Sequence, residues 1–482
     1  MSDKPVAVAG GRTRRLGNVG QALPLLLVGL AFAAWALGHI NVYAFSNDEG
    51  MPLMWARLMR DGYVLYRDIW CDHPPLLQWA MLGIMALVGE SVSPLWGRAL
   101  MVLVSSVGLL GLGALSWRAA RCPWAGALAG AMLALSPLFN WFGRAIMPDI
   151  PANCVAVLAV LAALAGRRRL PLALVSGALF ATSLMVKLVT LPLAPVVLVA
   201  LLYGVRGRRD EGRLLVAWGA GLLVVLSLVA AFLDVGAAYR LIVGTVVGAR
   251  EARGWDAAET LGRWWEFLAD GHIGLLGFAL LGSVWSLRHR TPAAVALLAW
   301  LGLATLALLV HYPLYEHHLA LVLFPLVGLA GVGAAQVVQS GRWRWAAGVA
   351  WVAYALAFPL TWEETFLPST PRDADNWEIV SDLESLSPPR GWIVTDSTLL
   401  AFQAGLRIPP PLITGGKRLE SGLLSSDTLI RETIRWQPQV IAFVRSDEDV
   451  ALPYLAWVEQ NYHLSRRYSS SRRIWTLDAD DP

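Results

Sequence analysis

The stretch Phe45-Ser46-Asn47-Asp48-Glu49-Gly50 puts two adjacent carboxylates where the first long apolar run of the chain ends. Charge beside a membrane is costly to bury, so acids at the end of a spanning helix point to function. A carboxylate placed there can act as a general base toward an acceptor hydroxyl or amine, or hold a divalent cation. Asn47-Asp48-Glu49 is also good helix-capping material, a purely structural use of the same residues.

Further chemistry-bearing groups follow along the chain. In Tyr66-Arg67-Asp68-Ile69-Trp70-Cys71-Asp72-His73-Pro74-Pro75-Leu76, Asp72 and His73 stand directly before a Pro-Pro pair. Proline pre-sets the first turn of a helix, and a histidine beside a carboxylate keeps its proton to higher pH, which suits contact with a phosphate. A solvated interfacial turn is the plainer alternative. Asp149, in Arg144-Ala-Ile-Met-Pro148-Asp149-Ile-Pro151, is either a second active-site acid or the cap of the next helix. Lys187 is alone between Val186 and Leu188. Such a lysine is expensive in an apolar run unless it snorkels or pairs, and a phosphate contact is expected of it.

The segment His311-Tyr312-Pro313-Leu314-Tyr315-Glu316-His317-His318 carries residue types that bind metals. Its spacing is not that of a His-Glu-x-x-His zinc helix. Contacts from Tyr312, Glu316, His317 and His318 to a phosphate or a sugar are expected instead, with a divalent cation left open. Arg98, four residues after Pro94, is a further basic candidate. The stretch 234–271, with Tyr239, Arg240, Arg250, Arg253, Trp255, Trp264 and Trp265, reads as an amphipathic segment on the membrane surface.

The elements that must position these residues are helices in a bilayer. Hydrophobic residues make up 56% of the chain and charged ones 15%, against about 25% charged in soluble domains. Mean hydropathy is +0.53, and the 23 Trp suit many membrane–water interfaces. The net charge of +4 is spread over short basic clusters, which excludes a nucleic-acid partner. Cys71, Cys122 and Cys154 follow no metal or disulfide spacing and read as packing residues.

Apolar runs predict spans at 24–45, 93–117, 124–142, 150–165, 171–186, 188–204, 214–233, 272–287, 292–310, 319–338 and 345–362, about eleven in all. Residues 1–20 read as a disordered cytoplasmic tail, and Pro75–Val88 as an interfacial helix too short to cross. Short connections with Arg12/Arg14/Arg15, Arg118/Arg121, Arg167/Arg168/Arg169, Arg206/Arg208/Arg209/Arg213, Arg288/Arg290 and Arg342/Arg344 alternate along this count. The positive-inside rule puts them in the cytoplasm. Segments 46–92, 143–149, 187, 234–271, 311–318 and everything after 363 then lie outside. From Glu363 the composition turns polar, and Gly391–Thr395 and Val440–Val444 read as strands. The expected architecture is an all-α polytopic membrane domain, 21–362, with a small extracytoplasmic α/β domain, 363–482.

Over about residues 20–340 the chain resembles the C-type superfold of membrane glycosyltransferases, in the branch of the protein O-mannosyltransferases and the lipid A aminoarabinose transferases. The resemblance is carried by Asp48-Glu49 after span one, Gly62 and the aromatic stretch behind it, and Pro74-Pro75-Leu76. Arg98, Asp149 in the second outer loop and Lys187 after the fifth span also fit. It implies inverting transfer of a sugar from a polyprenyl-phosphate donor at the extracytoplasmic face of the plasma membrane. It implies catalytic roles for Asp48, Glu49 and Asp149. Donor phosphate is then expected at His73, Arg98, Lys187, His317 and His318, and substrate at Asp72, Tyr312 and Glu316. His73 stands where the aminoarabinose transferases carry Lys, and no β-trefoil domain interrupts the chain as it does in the protein mannosyltransferases. A lipid or glycan acceptor is therefore expected. The alternatives are a transporter or flippase of a lipid-linked sugar and a protein O-glycosyltransferase.

Overall fold

The computed structural model describes residues 11–339, 371–413, 418, 422–445, 452–469 and 471–477. The span predicted at 345–362, the boundary predicted at 363 and the first ten residues of the predicted tail lie outside them. Helix α1, Gly11–Gly38, begins well before the predicted start of span one and takes in the rest of that tail.

Each predicted span within the described residues is helical. Seven helices there are long and apolar enough to cross a bilayer: Gly20–Gly38, Ser93–Ala120, Asp149–Gly166, Arg208–Ala230, Ala257–His289, Pro292–Leu309 and Glu316–Gln339. Proline and charge set the breaks between elements. Helix α2 runs Gly50–Arg60 and α3 runs Leu76–Val88, a short apolar helix matching the stretch set apart from the spans in the sequence. Helix α4, Ser93–Ala120, starts with a proline in its first turn. The span expected at 124–142 is two helices, α5 (Pro123–Leu135) and α6 (Pro137–Phe142). They part at Ser136, because Pro137 cannot continue the ladder of the helix before it. Helix α7 is Asp149–Gly166, and α8, Leu170–Val186, ends at Lys187, whose backbone is extended. A 3₁₀ turn, Leu188–Leu193, then leads into α9, Ala194–Leu202.

Helices α10 (Arg208–Ala230), α11 (Val235–Arg253) and α12 (Ala257–Phe267) follow. The span predicted to start at 272 continues back into α12 through a kink, where Asp270 and Gly271 leave helical backbone angles. Only glycine takes the φ of +93° at Gly271 without strain. Helices α13 (Ile273–His289), α14 (Pro292–Leu309) and α15 (Ala320–Gln339) complete the described bundle. Its core is small and branched, with Gly and Ala at close crossings. An added Cβ at Gly282 or Gly333 would meet the backbone of the facing helix at 1.9 and 2.0 Å.

The C-terminal part is an α/β unit with helices α16 (Pro371–Leu386), α17 (Thr398–Gln403), α18 (Ser426–Trp436) and α19 (Leu452–Asn461). Its strands are β1 (Ile393–Thr395), β2 (Val440–Phe443), β3 (His463–Arg467) and β4 (Arg473–Thr476), ordered β1-β2-β4-β3. β1 and β2 are parallel and the other pairs antiparallel. The two parallel strands are buried along their length, as a strand covered on both faces requires. This unit does not own its core. Leu53, Met54, Trp55, Leu58 and Ile69 of the first long loop share one buried cluster with Ile393, Leu399, Phe402 and Ile441. Segment 46–92, expected outside the membrane, is therefore the interface on which the C-terminal unit is built.

Candidate active site

Asp48 sits in a one-turn 3₁₀ helix, Asn47–Glu49, whose Ser46 hydroxyl accepts the Asp48 N–H at 3.2 Å. That turn separates the adjacent acids. Asp48 lines a cavity of about 560 Å³, whereas Glu49 points inward and is fully buried. Arg98 meets Glu49 with both arms, Nε to Oε1 at 2.9 Å and Nη2 to Oε2 at 2.8 Å. Arg98 also donates to the carbonyls of Ile40, Val42 and Tyr43, and Glu49 accepts the backbone N–H groups of Phe45 and Ile146.

Glu49, expected as a catalytic acid, and Arg98, expected at the donor phosphate, are both buried away from the cavity. They form a bidentate buried pair that fixes the backbone around Asp48, and neither lines the cavity.

The cavity gathers most of the other residues singled out in the sequence. Asp72, His73, Lys187, Tyr312, His317 and His318 line it with Asp48. His73 Nδ1 lies 2.6 Å from Asp72 Oδ1, and the His73 ring tilts against Trp55. Lys187 reaches its position because α8 breaks there, and its Nζ donates to Asp149 Oδ2 at 3.1 Å. Asp149, expected as a second active-site acid, is fully buried and meets Lys187 rather than lining the cavity itself. Tyr312 donates its hydroxyl to Glu259 of α12 at 2.7 Å. Glu316, expected to meet substrate, has Asp270, Arg263 and Glu266 as charged neighbours and does not line the cavity. The 3₁₀ turn Glu316–Leu319 turns His317 and His318 inward and Glu316 away.

Sequence reasoning named His311 only as one of the three histidines of the 311–318 segment and did not single out Tyr315 or Arg418, and all three line the cavity. His311 and His318 meet edge to face, ring centroids 4.7 Å apart. Burial, with the Lys187 ammonium nearby, holds His311 below the ordinary imidazole range and so neutral. Burial raises the Cys71 thiol well above its usual value, and all three cysteines are buried and unbridged, so they act as packing residues.

Asp149, His317 and His318 bring ligand atoms within 4.8 Å of one another, a grouping that invites a metal ion. Two features weigh against one. The Lys187 ammonium already neutralises Asp149 at 3.1 Å. The Tyr315 N–H donates to His318 Nδ1 at 3.3 Å, which in the neutral ring leaves Nε2 protonated and unable to ligate. The grouping is better suited to oxygen anions and hydroxyls.

The rest of the cavity wall is largely apolar, with Val186, Leu188, Leu191, Leu308, Val310 and Leu321 among its residues. Leu191 and Val310 are 57% and 62% exposed, so this wall opens on the outside of the bundle.

A family model described as dolichyl-phosphate-mannose-protein mannosyltransferase matches residues 72–233. Among solved structures, ArnT from Cupriavidus metallidurans bound to undecaprenyl phosphate is 16% identical. The match covers 96% of this chain and 98% of that one, with a TM-score of 0.64. The oligosaccharyltransferase of Archaeoglobus fulgidus in the apo form is 12% identical over 95% of this chain and 75% of its own, with a TM-score of 0.54. The arabinofuranosyltransferase AftD from Mycobacteria is 16% identical over 98% of this chain and 40% of its own, with a TM-score of 0.51. Among curated proteins no sequence match is found.

Proposed function

We propose, from the C-type membrane glycosyltransferase fold that this chain carries, that it moves a sugar from a polyprenyl-phosphate donor to a lipid or glycan acceptor at the extracytoplasmic face. The observation that carries this reading is the cavity itself. Its lining brings Asp48, Lys187, His73 and the histidines together with apolar side chains, two of which, Leu191 and Val310, reach the outside of the bundle. A lipid phosphate needs both, because its tail stays among hydrocarbon and its headgroup needs donors. The likeness to a structure with undecaprenyl phosphate bound supports the same class of donor.

In this reading an acceptor hydroxyl attacks the anomeric carbon on the face opposite the phosphate. Asp48 takes the hydroxyl proton as the new C–O bond forms. The bond from the anomeric carbon to the phosphate oxygen breaks, and the electron pair leaves with the lipid phosphate. Lys187, His73 and the His317-His318 pair stabilise that anion, which is where charge grows in the transition state. Asp149 is a positioning residue: its charge holds Lys187 at the cavity wall. One displacement inverts the anomeric centre. The transporter alternative calls for charged groups near mid-membrane, and loss of transfer in Asp48→Asn with lipid binding kept separates the two readings.

The test is transfer from a panel of radiolabelled polyprenyl-phosphate sugars in membranes. Asp48→Asn is expected to lower the rate by about 10²–10⁴-fold while folding and lipid binding persist. Full activity in Asp48→Asn would overturn the assignment of the base. No transfer from any donor by the wild type would overturn the function.

A further inference from the structure

One part of the cavity wall does not come from the helical bundle. Arg418 and Leu423 of the C-terminal unit face the same space as Asp48, His73 and Lys187. The Arg418 guanidinium lies over the Trp70 ring, 4.5 Å from its centroid. Its Nη1 donates to the Pro411 carbonyl at 2.5 Å. Trp70 is itself fixed, since its N–H donates to the Pro410 carbonyl at 3.1 Å and its carbonyl accepts the Trp55 indole N–H at 2.9 Å. The Arg418 carbonyl accepts the N–H groups of Leu423 and Leu424 at 2.8 and 3.0 Å, which ties down the backbone end.

An aromatic face under a guanidinium holds it by its charge, and the planar fork of N–H donors matches oxygens two at a time. Such a group, directed into a cavity by a stack and a carbonyl, is a built anion site. Two cationic side chains, Lys187 and Arg418, line this space with two carboxylates, Asp48 and Asp72; Lys187 meets the buried Asp149 at 3.1 Å, and Asp72 acts on Arg418. A phosphate brought into this space adds negative charge beside those carboxylates and so draws on both cations.

We propose that Arg418 binds the oxygens of a substrate phosphate, so that the C-terminal unit supplies one wall and one charge of the active site. This rests on the transferase reading above. The phosphate belongs either to the polyprenyl donor or to an anionic acceptor, and the chemistry of recognition is the same.

The experiment uses the full-length protein in nanodiscs, with undecaprenyl phosphate as the probe and inorganic phosphate as competitor. Wild type, Arg418→Ala, Arg418→Lys and the surface control Arg431→Ala are compared for binding, thermal midpoint and steady-state transfer. If the donor phosphate is the ligand, Arg418→Ala weakens undecaprenyl phosphate binding by about tenfold or more. Arg418→Lys then falls between the two, added guanidinium ion restores part of the loss, and Arg431→Ala binds as wild type. If the acceptor anion is the ligand, donor binding stays as in wild type and the KM for acceptor rises by a similar factor. Either pattern, with an unchanged thermal midpoint, supports the assignment. Unchanged binding and unchanged KM values in Arg418→Ala overturn it, as does a loss that follows the thermal midpoint alone and is not relieved by guanidinium. A wild type that neither binds the probe nor transfers sugar would instead overturn the transferase reading.

Discussion

Two neighbouring acids that look alike in the sequence have opposite duties. Asp48 faces the cavity, and Glu49 locks onto Arg98 in the interior. The charge pattern located Asp48, Asp72, His73, Lys187 and the His317-His318 pair, because polar residues stranded between apolar runs are rare. It could not separate Asp48 from Glu49, since a single 3₁₀ turn decides which one points inward. Nor could it show that Glu316 turns away while its two neighbours turn in. The consequence is measurable. Glu49→Gln or Arg98→Met leaves the partner charge buried and uncompensated, a cost of about 3–5 kcal/mol. Thermal unfolding in detergent should show that loss, whereas Asp48→Asn should unfold as wild type does. The double change to Met at both positions is expected to stay destabilised. The carbonyls of Ile40, Val42 and Tyr43 and the N–H groups of Phe45 and Ile146 would still lack partners.

The order of spans and the two strands at 393–395 and 440–443 were legible, because hydrophobic run length and β-branched content report them directly. Helix α2 was not, since its apolar face packs on a unit more than three hundred residues later in the chain. Gly50, at its start, shows how tightly. An added Cβ would lie 2.2 Å from the Leu399 backbone nitrogen. In an exposed helix, glycine to alanine gains about 1 kcal/mol. At Gly50 the sign reverses, because backbone cannot move aside as a side chain does. Gly50→Ala is expected to lose about 1–3 kcal/mol and to make the C-terminal unit sensitive to limited proteolysis. Arg57 reinforces the same junction, donating to the carbonyls of Phe402 in α17 at 2.7 Å and of Leu406 just beyond it while pairing with Glu90.

At the scale of the molecule, the bundle and the C-terminal unit enclose a cavity whose apolar side is open. If a lipid-borne substrate comes through that side, narrowing it should act on the substrate and not on the fold. Leu191 is the position to use, because it lines the cavity yet is 57% exposed, so a larger side chain there displaces no packed neighbour. Leu191→Trp is expected to raise the KM for a polyprenyl-phosphate donor several-fold, on the order of 1 kcal/mol, with an unchanged thermal midpoint. An unchanged KM would place the route of the lipid elsewhere. The shared core of loop 46–92 and the C-terminal unit was beyond sequence reading, since a change of composition near residue 363 marks where polarity changes and not where packing ends.

That shared core also sets the terms for recombining this protein with others of its architecture. A swap at the apparent junction would strip Trp55, Leu58 and Ile69 of their covering side chains. A working chimera has to exchange residues 46–92 together with the C-terminal unit, as one inherited module bearing Asp48 with it.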